Sequence, residues 1–393
     1  MLIGIVGKPN VGKSTFFKAA TLAEVLIADY PFATIKPNRG VGYVKIQCID
    51  VEFKTQCMPR EGYCLNHWRF VPVQLLDVAG LVPGAHQGKG LGNQFLDDLR
   101  QADAFIHIVD LSGTTDIEGK KTENYDVTND INFLEEELDL WFLGLLEKTW
   151  KAFARKTQAE KIPFHEAIVK QFSGLKINEF QVKEALRKTG LNPENPFGWT
   201  AADLLTFAKI LRKISKPMVI AANKCDAPKA KENLKKLKEK FPEFMIIPCS
   251  AEAELALREA ARDKKINYIS GENKFELIGE LNDKQKKGLE FIQKNILDVY
   301  SSTGIQDVLN KSVFELLKYI AVFPAGVNKL ADSKGNILPD CFLLPADSTA
   351  LDFAFAVHTD LGKKFIRAIN AKTKMIIGKD YKLKHRDALE IIT

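Results

Sequence analysis

The fold of this chain is decided near its start by the stretch Gly7-Lys8-Pro9-Asn10-Val11-Gly12-Lys13-Ser14, which fits the pattern G-x-x-x-x-G-K-[ST]. The apolar run at residues 3–6 predicts a buried strand before it, and residues 15–21 predict a helix after it. Glycines at such a turn let backbone N–H groups surround a phosphate, and the helix N-terminus adds the positive end of its dipole. The sequence therefore predicts a phosphate-binding loop at the start of an α/β domain.

The side chains of this loop have separate expected roles. Lys13 is expected to reach β- and γ-phosphate oxygens and to assist catalysis, and Ser14 to give its hydroxyl to Mg²⁺. The residues predicted to contact the nucleotide in this loop are Gly7, Lys8, Pro9, Asn10, Val11, Gly12, Lys13, Ser14 and Thr15.

A second motif, Asn223-Lys224-Cys225-Asp226, follows a predicted strand and selects the base. An aspartate at this place accepts both N1–H and the exocyclic amino group of guanine, a bidentate contact that adenine cannot return. Backbone N–H groups of Ser250 and Ala251 would face guanine O6. We therefore predict that Asn223, Lys224, Asp226, Ser250 and Ala251 bind the nucleotide and favour GTP over ATP.

The third element is Asp77-Val78-Ala79-Gly80, which again follows an apolar strand. Asp77 is expected to hold Mg²⁺ through a water, and Gly80 to place its N–H on the γ-phosphate. The glycine-rich residues 81–93 then predict a switch segment that senses this phosphate. Thr34 lies in an earlier loop, where its hydroxyl would reach the metal, so the predicted Mg²⁺ ligands are Ser14, Thr34 and Asp77.

A chain of 393 residues favours two or three domains. Alternating apolar runs and Gly/Pro turns predict a GTP-binding α/β domain with a mostly parallel sheet and helices on both faces, formed by residues 1–113 and 216–275. A helical period predicts an inserted α-helical domain at 114–215 and a helical connector at 276–318. Residues 319–393 are predicted to form a small strand-rich domain, with Phe353 and Phe355 as core residues of one strand.

Composition narrows the class of protein. Apolar residues make up 46% of the chain and charged residues 27%, and no apolar run approaches the roughly 18 residues that span a bilayer, which predicts a soluble protein without a membrane partner. The six cysteines are scattered, which indicates a reducing cytoplasm rather than a disulfide framework. A metal site at Cys57, Cys64 and His67 is disfavoured, because no second pair of ligands completes a tetrahedral set.

Charge is concentrated in the tail. The net charge is +6, and residues 363–386 hold nine Lys or Arg against one acidic residue, Asp380. Basic clusters of this kind bind nucleic-acid phosphates, so this segment predicts a ribosome or another structured RNA as partner. The alternative is that these side chains only solvate the surface.

Longer motifs add a family resemblance. The chain resembles the Obg/YchF group of translation-factor-type GTPases in Asn10 of the phosphate loop, in Tyr30-Pro31-Phe32-Ala33-Thr34, and in Asp77-Val78-Ala79-Gly80-Leu81-Val82-Pro83-Gly84-Ala85-His86. Leu351-Asp352-Phe353-Ala354-Phe355-Ala356-Val357-His358-Thr359-Asp360 resembles the TGS domain, a β-grasp module also found in threonyl-tRNA synthetases and stringent-response enzymes. The resemblance implies a β-grasp fold for residues 319–393 and contact with the ribosome or tRNA.

The resemblance also implies catalytic features. Leu81 stands where Ras-like enzymes carry a glutamine, and His86 matches a catalytic histidine proposed in YchF-type proteins, so the expected catalytic set is His86, Lys13 and Gly80. Asn10 resembles the asparagine that helps to hold K⁺ in potassium-stimulated GTPases. Relatives of YchF often prefer ATP, whereas this chain keeps Lys224 and Asp226.

The main hypothesis is a GTPase that acts as a Mg²⁺-dependent switch on the ribosome or another RNA. Two alternatives stay open: an ATP-preferring hydrolase or regulator, and a nucleotide-gated RNA-binding protein in which hydrolysis is incidental.

Overall fold

The computed structural model describes residues 1–21, 39–78, 80, 83–84, 99–332 and 334–393. Its larger sheet has the strand order β2-β4-β1-β5-β6-β7, with β3 paired to β4. The strands of this sheet are β1 (Leu2–Val6), β2 (Arg39–Gln47), β3 (Tyr63–Leu65), β4 (Trp68–Asp77), β5 (Ala104–Asp110), β6 (Met218–Asn223) and β7 (Met245–Pro248).

The pairings of β1 with β4 and β5, of β5 with β6, and of β6 with β7 are parallel. Strands β2 and β3 each pair with β4 in antiparallel orientation. The prediction of a mostly parallel sheet is therefore confirmed.

Alternation along β1 divides the core between the two faces of the sheet. Leu2 and Val6 pack into a cluster that continues into the helical insertion. Ile3 and Ile5 pack into a second cluster that reaches the C-terminal domain. Because successive side chains point to opposite faces and both faces are covered, the strand is apolar throughout.

The insertion after β5 is helical, and its aromatic core includes Trp150, Phe164, Trp199 and Phe207. Its first helix begins at Thr128, so residues 112–127 form a preceding loop rather than part of a helix. The helices are α2 (Thr128–Glu147), α3 (Trp150–Ala159), α4 (Phe164–Gln171), α5 (Glu179–Thr189) and α6 (Ala201–Ser215).

Other described helices flank the sheet or lead to the C-terminal domain. They are α1 (Lys13–Thr21), α7 (Ala230–Lys240), α8 (Ala251–Arg262), α9 (Asp283–Ile292), α10 (Asp298–Tyr300) and α11 (Ile305–Asn310). A hairpin of β8 (Ile266–Asn267) and β9 (Glu276–Leu277) crosses the predicted boundary between the α/β domain and the helical connector, and β9 lies where a helix was expected. Two-residue strands are too short to leave a period in the sequence.

The C-terminal domain contains a second sheet with the order β11-β10-β14-β12-β13. Its elements are β10 (Tyr319–Pro324), β11 (Phe342–Pro345), α12 (Ala350–Val357), α13 (Thr359–Lys363), β12 (Arg367–Asn370), β13 (Ile376–Ile377) and β14 (Asp387–Ile392).

The predicted strand with core residues Phe353 and Phe355 is wrong, because both lie on helix α12. Thr349 and Asp352 form a capping box that starts this helix. Residues two apart on a helix diverge, and Phe353 is buried whereas Phe355 is 45% exposed.

The C-terminal domain contacts the N-terminal end of β4. Arg69 donates to the carbonyl oxygens of Leu338 (3.1 Å) and Pro339 (2.7 Å). Glu52 accepts from Lys372 and Arg386. In the part of the chain that the structure describes, no helix is both long enough and apolar enough to cross a bilayer.

Candidate nucleotide-binding site

The three predicted motifs meet at one edge of the larger sheet. The phosphate loop leaves β1, Asp77 ends β4 and Asn223 ends β6. Ile5 is in register with Asp77, and Asp110 at the end of β5 is in register with Asn223. Ligands of open α/β sheets bind at the carboxyl ends of the strands, so these residues form the candidate site.

Two glycines of the loop occupy positions that exclude a side chain. Gly7 and Gly12 have φ values of 150° and 96°. A Cβ on Gly7 would lie 2.6 Å from the Ile108 oxygen, and a Cβ on Gly12 would lie 2.4 Å from Asn223 Nδ2. The glycines of the motif are therefore required by the packing of the loop as well as by its backbone conformation.

Lys13, Ser14 and Asp77 form the phosphate and metal end of the site. Lys13 Nζ donates to the Lys8 oxygen at 2.7 Å, and burial lowers the pKa of Lys13 to about 8 against the opposing effect of Asp77. Ser14 Oγ lies 3.4 Å from Asp77 Oδ2. Burial also raises the pKa of Asp77, while Lys13 and Ser14 act in the opposite direction.

One oxygen of Asp77 supports a metal site. Oδ1 is buried and has no hydrogen-bond partner among the described residues. A buried carboxylate oxygen beside the exposed hydroxyl of Ser14 suits a hard cation that prefers oxygen ligands. Ser14 and Asp77 therefore fit Mg²⁺, whereas Thr34 lies outside the described residues.

The Asn223 side chain connects the phosphate-binding loop to the Ala251 loop. Its Nδ2 donates to the Val11 oxygen at 2.9 Å, and its Oδ1 accepts from the Ala251 N–H at 3.0 Å. The Ser250 N–H donates to the Thr303 oxygen at 2.9 Å. The N–H groups expected to face guanine O6 are thus engaged within the protein, and a contact with the base would have to share them.

Asp226 is the acidic residue of the base-selecting motif. It is exposed and makes no hydrogen bond to any residue that the structure describes. Lys224 adopts φ 60° and places Nζ 2.7 Å from Asp110 Oδ2 and 3.4 Å from the Asn10 oxygen. The Lys224 side chain therefore crosses from the base motif to the phosphate loop, and the Asp226 carboxylate stays available to a ligand.

Comparisons with known proteins agree along the chain. A family model described as 50S ribosome-binding GTPase matches residues 2–139, one described as the G4 motif-containing domain of YGR210-like, Obg-like GTPases matches 221–326, and a TGS domain model matches 331–393. The chain is 49% identical to an uncharacterised GTP-binding protein of Methanocaldococcus jannaschii, over 100% of this chain and 99% of that one. The chain belongs to the Obg-like, YchF-type family of P-loop GTPases.

Other members of the family extend the comparison. The crystal structure of a GTP-binding protein from Pyrococcus horikoshii has a TM-score of 0.81 and 42% identity, and the match covers 100% of both chains. The ribosome-binding ATPase YchF of Bacillus subtilis is 29% identical over 93% of this chain and 87% of its own. The predicted Obg/YchF relationship and TGS domain are confirmed, and with them the assignment to nucleoside triphosphate hydrolases.

In the phosphate-binding loop at residues 7–14, the P-loop of this GTPase, the side chains of Lys8 and Asn10 contact other parts of the protein. Lys8 Nζ lies 2.9 Å from Asp130 Oδ1, 2.8 Å from the Thr115 oxygen and 3.9 Å from the centre of the Tyr125 ring. Lys8 can therefore contact a nucleotide through its backbone but not through its side chain. The sequence could not indicate this, because the motif leaves that position open.

Asn10 also contacts the loop before the insertion. Its Nδ2 donates to the Gly119 oxygen at 2.9 Å, so the K⁺ role implied by the resemblance would rest on Oδ1. Pro9 packs in the same region, since a Cβ on Gly119 would lie 2.8 Å from it and a Cβ on Gly80 3.0 Å. Residues 112–127 thus cover one side of the P-loop.

One described residue of the segment after Asp77, Gly84, is hydrogen-bonded to the helical insertion. The Gly84 N–H donates to Glu137 Oε1 of α2 at 2.6 Å. His86 lies outside the described residues, and its catalytic role stays a prediction. Sequence reasoning missed both Glu137 and Asp110. Only Asp110 left a signal, as an acidic residue at the end of a buried strand.

Proposed function

We propose that this GTPase binds GTP with Mg²⁺ and cycles between GTP and GDP states as a switch that acts on the ribosome. The observation that carries the proposal is Asn223, which hydrogen-bonds the P-loop on one side and the Ala251 loop on the other. This connection holds the phosphate-binding and base-selecting motifs at one edge of the sheet. A single nucleotide can therefore bridge Lys13 and Asp226.

Ser14 and Asp77 are the described residues that would hold Mg²⁺, with Thr34 as the predicted third ligand. The ion supplies charge neutralisation at the β- and γ-phosphates. Lys13 would bind the same oxygens, and Gly80 would offer its N–H to the γ-phosphate. His86 remains the proposed group for positioning the attacking water, since the Leu81 side chain has no polar atom for that purpose.

Guanine selectivity is tested by Asp226→Asn. The amide loses one of the two acceptor contacts and presents a donor to the N–H groups of guanine, so the preference for GTP over ATP should fall by about 10- to 100-fold. This range lies within the 1–3 kcal/mol typical of a bidentate base contact. Competition of unlabelled ATP and GTP against a fluorescent guanine nucleotide measures it.

Asp283→Asn is the matched control, because Asp283 is also exposed but begins α9 away from the site. It should leave the preference unchanged. A wild-type protein that prefers ATP, with no change in Asp226→Asn, would instead support the ATP-preferring alternative.

The basic C-terminal surface supports a ribosomal partner. Lys372 and Arg386 pair with Glu52 and so help to hold the domains together. The remaining basic residues of the segment are exposed: Lys363, Lys364, Arg367, Lys374, Lys379, Lys382 and Lys384. The relative YchF of Bacillus subtilis is described as ribosome-binding, and exposed cations of this kind neutralise RNA phosphates.

Co-sedimentation with ribosomes tests this surface. Lys363→Glu/Lys364→Glu should weaken binding in the GTP-analogue state and reduce the slope of log affinity against log salt by about 2, if each lysine contacts one phosphate. The matched control is Lys231→Glu/Lys238→Glu on α7, where two exposed lysines undergo the same change. Binding that ignores the nucleotide would favour an RNA-binding protein with incidental hydrolysis.

A further inference from the structure

A cluster of three thiols and one carboxylate lies at the end of β4 that is opposite to Asp77. Donor atoms of Cys48, Asp50, Cys57 and Cys64 all lie within 4.8 Å of one another. Cys48 follows β2, Asp50 lies in the 3-10 turn Ile49–Val51, Cys57 lies in the next loop and Cys64 on β3. The hairpin therefore folds back so that four separate positions converge on one point.

The distances suit a bound metal better than a disulfide. Cys48 Sγ and Cys57 Sγ are 3.5 Å apart, and Cys64 Sγ is 3.8 Å from Asp50 Oδ2. A disulfide requires about 2.05 Å between sulfurs. Tetrahedral Zn²⁺ with bonds of about 2.3 Å places its sulfur ligands roughly 3.8 Å apart. These two spacings are close to the edge length of such a tetrahedron, and the other donor atoms lie within 4.8 Å of one another.

Burial gives a second argument. Cys48 and Asp50 are fully buried, and Cys57 is 4% exposed. A carboxylate enclosed among thiols is costly unless it is hydrogen-bonded, paired or bound to a metal. Asp50 Oδ2 accepts hydrogen bonds from the Cys57 N–H at 3.1 Å and from Cys64 Sγ at 3.8 Å. The same oxygen faces Cys64, so it points into the space between the sulfurs.

Neighbouring groups support these ligands. His67 Nδ1 lies 3.0 Å from Asp50 Oδ1, which fixes the orientation of the carboxylate. Arg69 Nη1 donates to Cys57 Sγ at 3.6 Å and places a positive charge beside the sulfurs. Such outer contacts orient and tune the ligands of metal sites. The structure therefore brings Cys48 and Asp50 beside Cys57 and Cys64, at spacings that no common motif predicts.

We propose that Cys48, Cys57, Cys64 and Asp50 bind one Zn²⁺ at a closed structural site. Three thiolates favour a soft or borderline cation, and four protein ligands leave no open position for catalysis. The adjoining Arg69 contacts the carbonyl groups of Leu338 and Pro339 in the C-terminal domain. The metal would therefore stiffen the surface of the GTP-binding α/β domain that contacts the C-terminal domain.

Metal analysis of the full-length protein, purified anaerobically without chelator, tests the proposal. We expect about one zinc per chain, a loss of most of it in Cys57→Ser, and full retention in Cys341→Ser. Cys341 is the matched control, because it packs against the same core but is absent from the cluster. Equal loss in both variants, or iron in place of zinc, would overturn the assignment.

A measurement on the unmodified chain covers the case in which Cys57→Ser fails to fold. Protein stripped of metal and titrated with Co²⁺ should develop sulfur-to-cobalt charge-transfer absorption and the strong visible bands of tetrahedral cobalt, saturating at about one equivalent. Adding Zn²⁺ should abolish both. Reduced protein that gives no such spectrum, or a metal-free disulfide between Cys48 and Cys57 in freshly isolated protein, would contradict the proposal.

Discussion

Replacing Lys13 with alanine should lower the turnover of GTP by about 10²- to 10³-fold, the usual loss when one preorganised donor to a developing charge is removed. The Lys13 ammonium is buried at the start of α1 and contacts the Lys8 oxygen, at the point where the loop surrounds a phosphate. Phosphate release from the Mg²⁺–GTP complex in a single turnover measures the effect.

Unfolding is not expected to explain this loss. Burial lowers the pKa of Lys13 to about 8, which means that the folded protein disfavours its charge before a ligand arrives. Removing the ammonium should therefore leave the unfolding midpoint unchanged or slightly raised. Lys18→Ala, on the exposed side of the same helix, is the matched control and should keep normal turnover. Normal turnover in Lys13→Ala would contradict the assigned site.

The parts of the site that could be predicted from sequence are those with local physical causes. The Gly12 and Lys13 positions are fixed by the loop itself, since the backbone must wrap a phosphate and the next helix must begin there. Asp77 ends one strand and Asp226 follows another, and parallel strands bring their carboxyl ends to one edge. These residues therefore lie at one edge of the sheet, and their roles in binding stay predictions.

Contacts between distant segments could not be predicted. Asn223 and Val11 are 212 positions apart. Nothing in either motif indicates that both polar side-chain atoms of the asparagine form hydrogen bonds within the protein. Lys8 stands at an unrestricted position of the motif, so its direction depends on Asp130 in the insertion. The cluster of Cys48, Asp50, Cys57 and Cys64 could not be predicted for a related reason. Its members come from a turn, a loop and a short strand with irregular spacing.

The contact of Lys8 with Asp130 predicts the second large effect. Both side chains are 1% exposed, and Nζ lies 2.9 Å from Oδ1 without the alignment of a hydrogen bond. Burial raises the pKa of Asp130 to about 6 even though Lys8 acts to lower it. Desolvation therefore outweighs the attraction within this pair, as is common for buried ions.

Lys8→Met should reduce the free energy of unfolding by about 3–5 kcal/mol at pH 8, because it removes the cation that pairs with the buried Asp130 charge. Removal of Lys8 raises the pKa of Asp130 further, so the loss should shrink as the pH falls from 8 toward 6 and stay constant below that. Asp130 binds its proton more tightly in the folded state than in the unfolded state, so its protonation favours folding at low pH. Urea titrations at pH 8 and pH 5, followed by the fluorescence of the insertion's tryptophans, measure both effects.

Two further variants separate the charge from the packing. Lys8→Met/Asp130→Leu removes both ions and should recover most of the lost stability, whereas Lys183→Met in an exposed pair with Glu179 should change it by no more than about 0.5 kcal/mol. A double variant as unstable as Lys8→Met would mean that the hydrogen bond from Lys8 to the Thr115 oxygen is the important contact. In either case the lysine fastens the insertion to the P-loop, so a displacement of α2 would be transmitted to the residues that surround the phosphate.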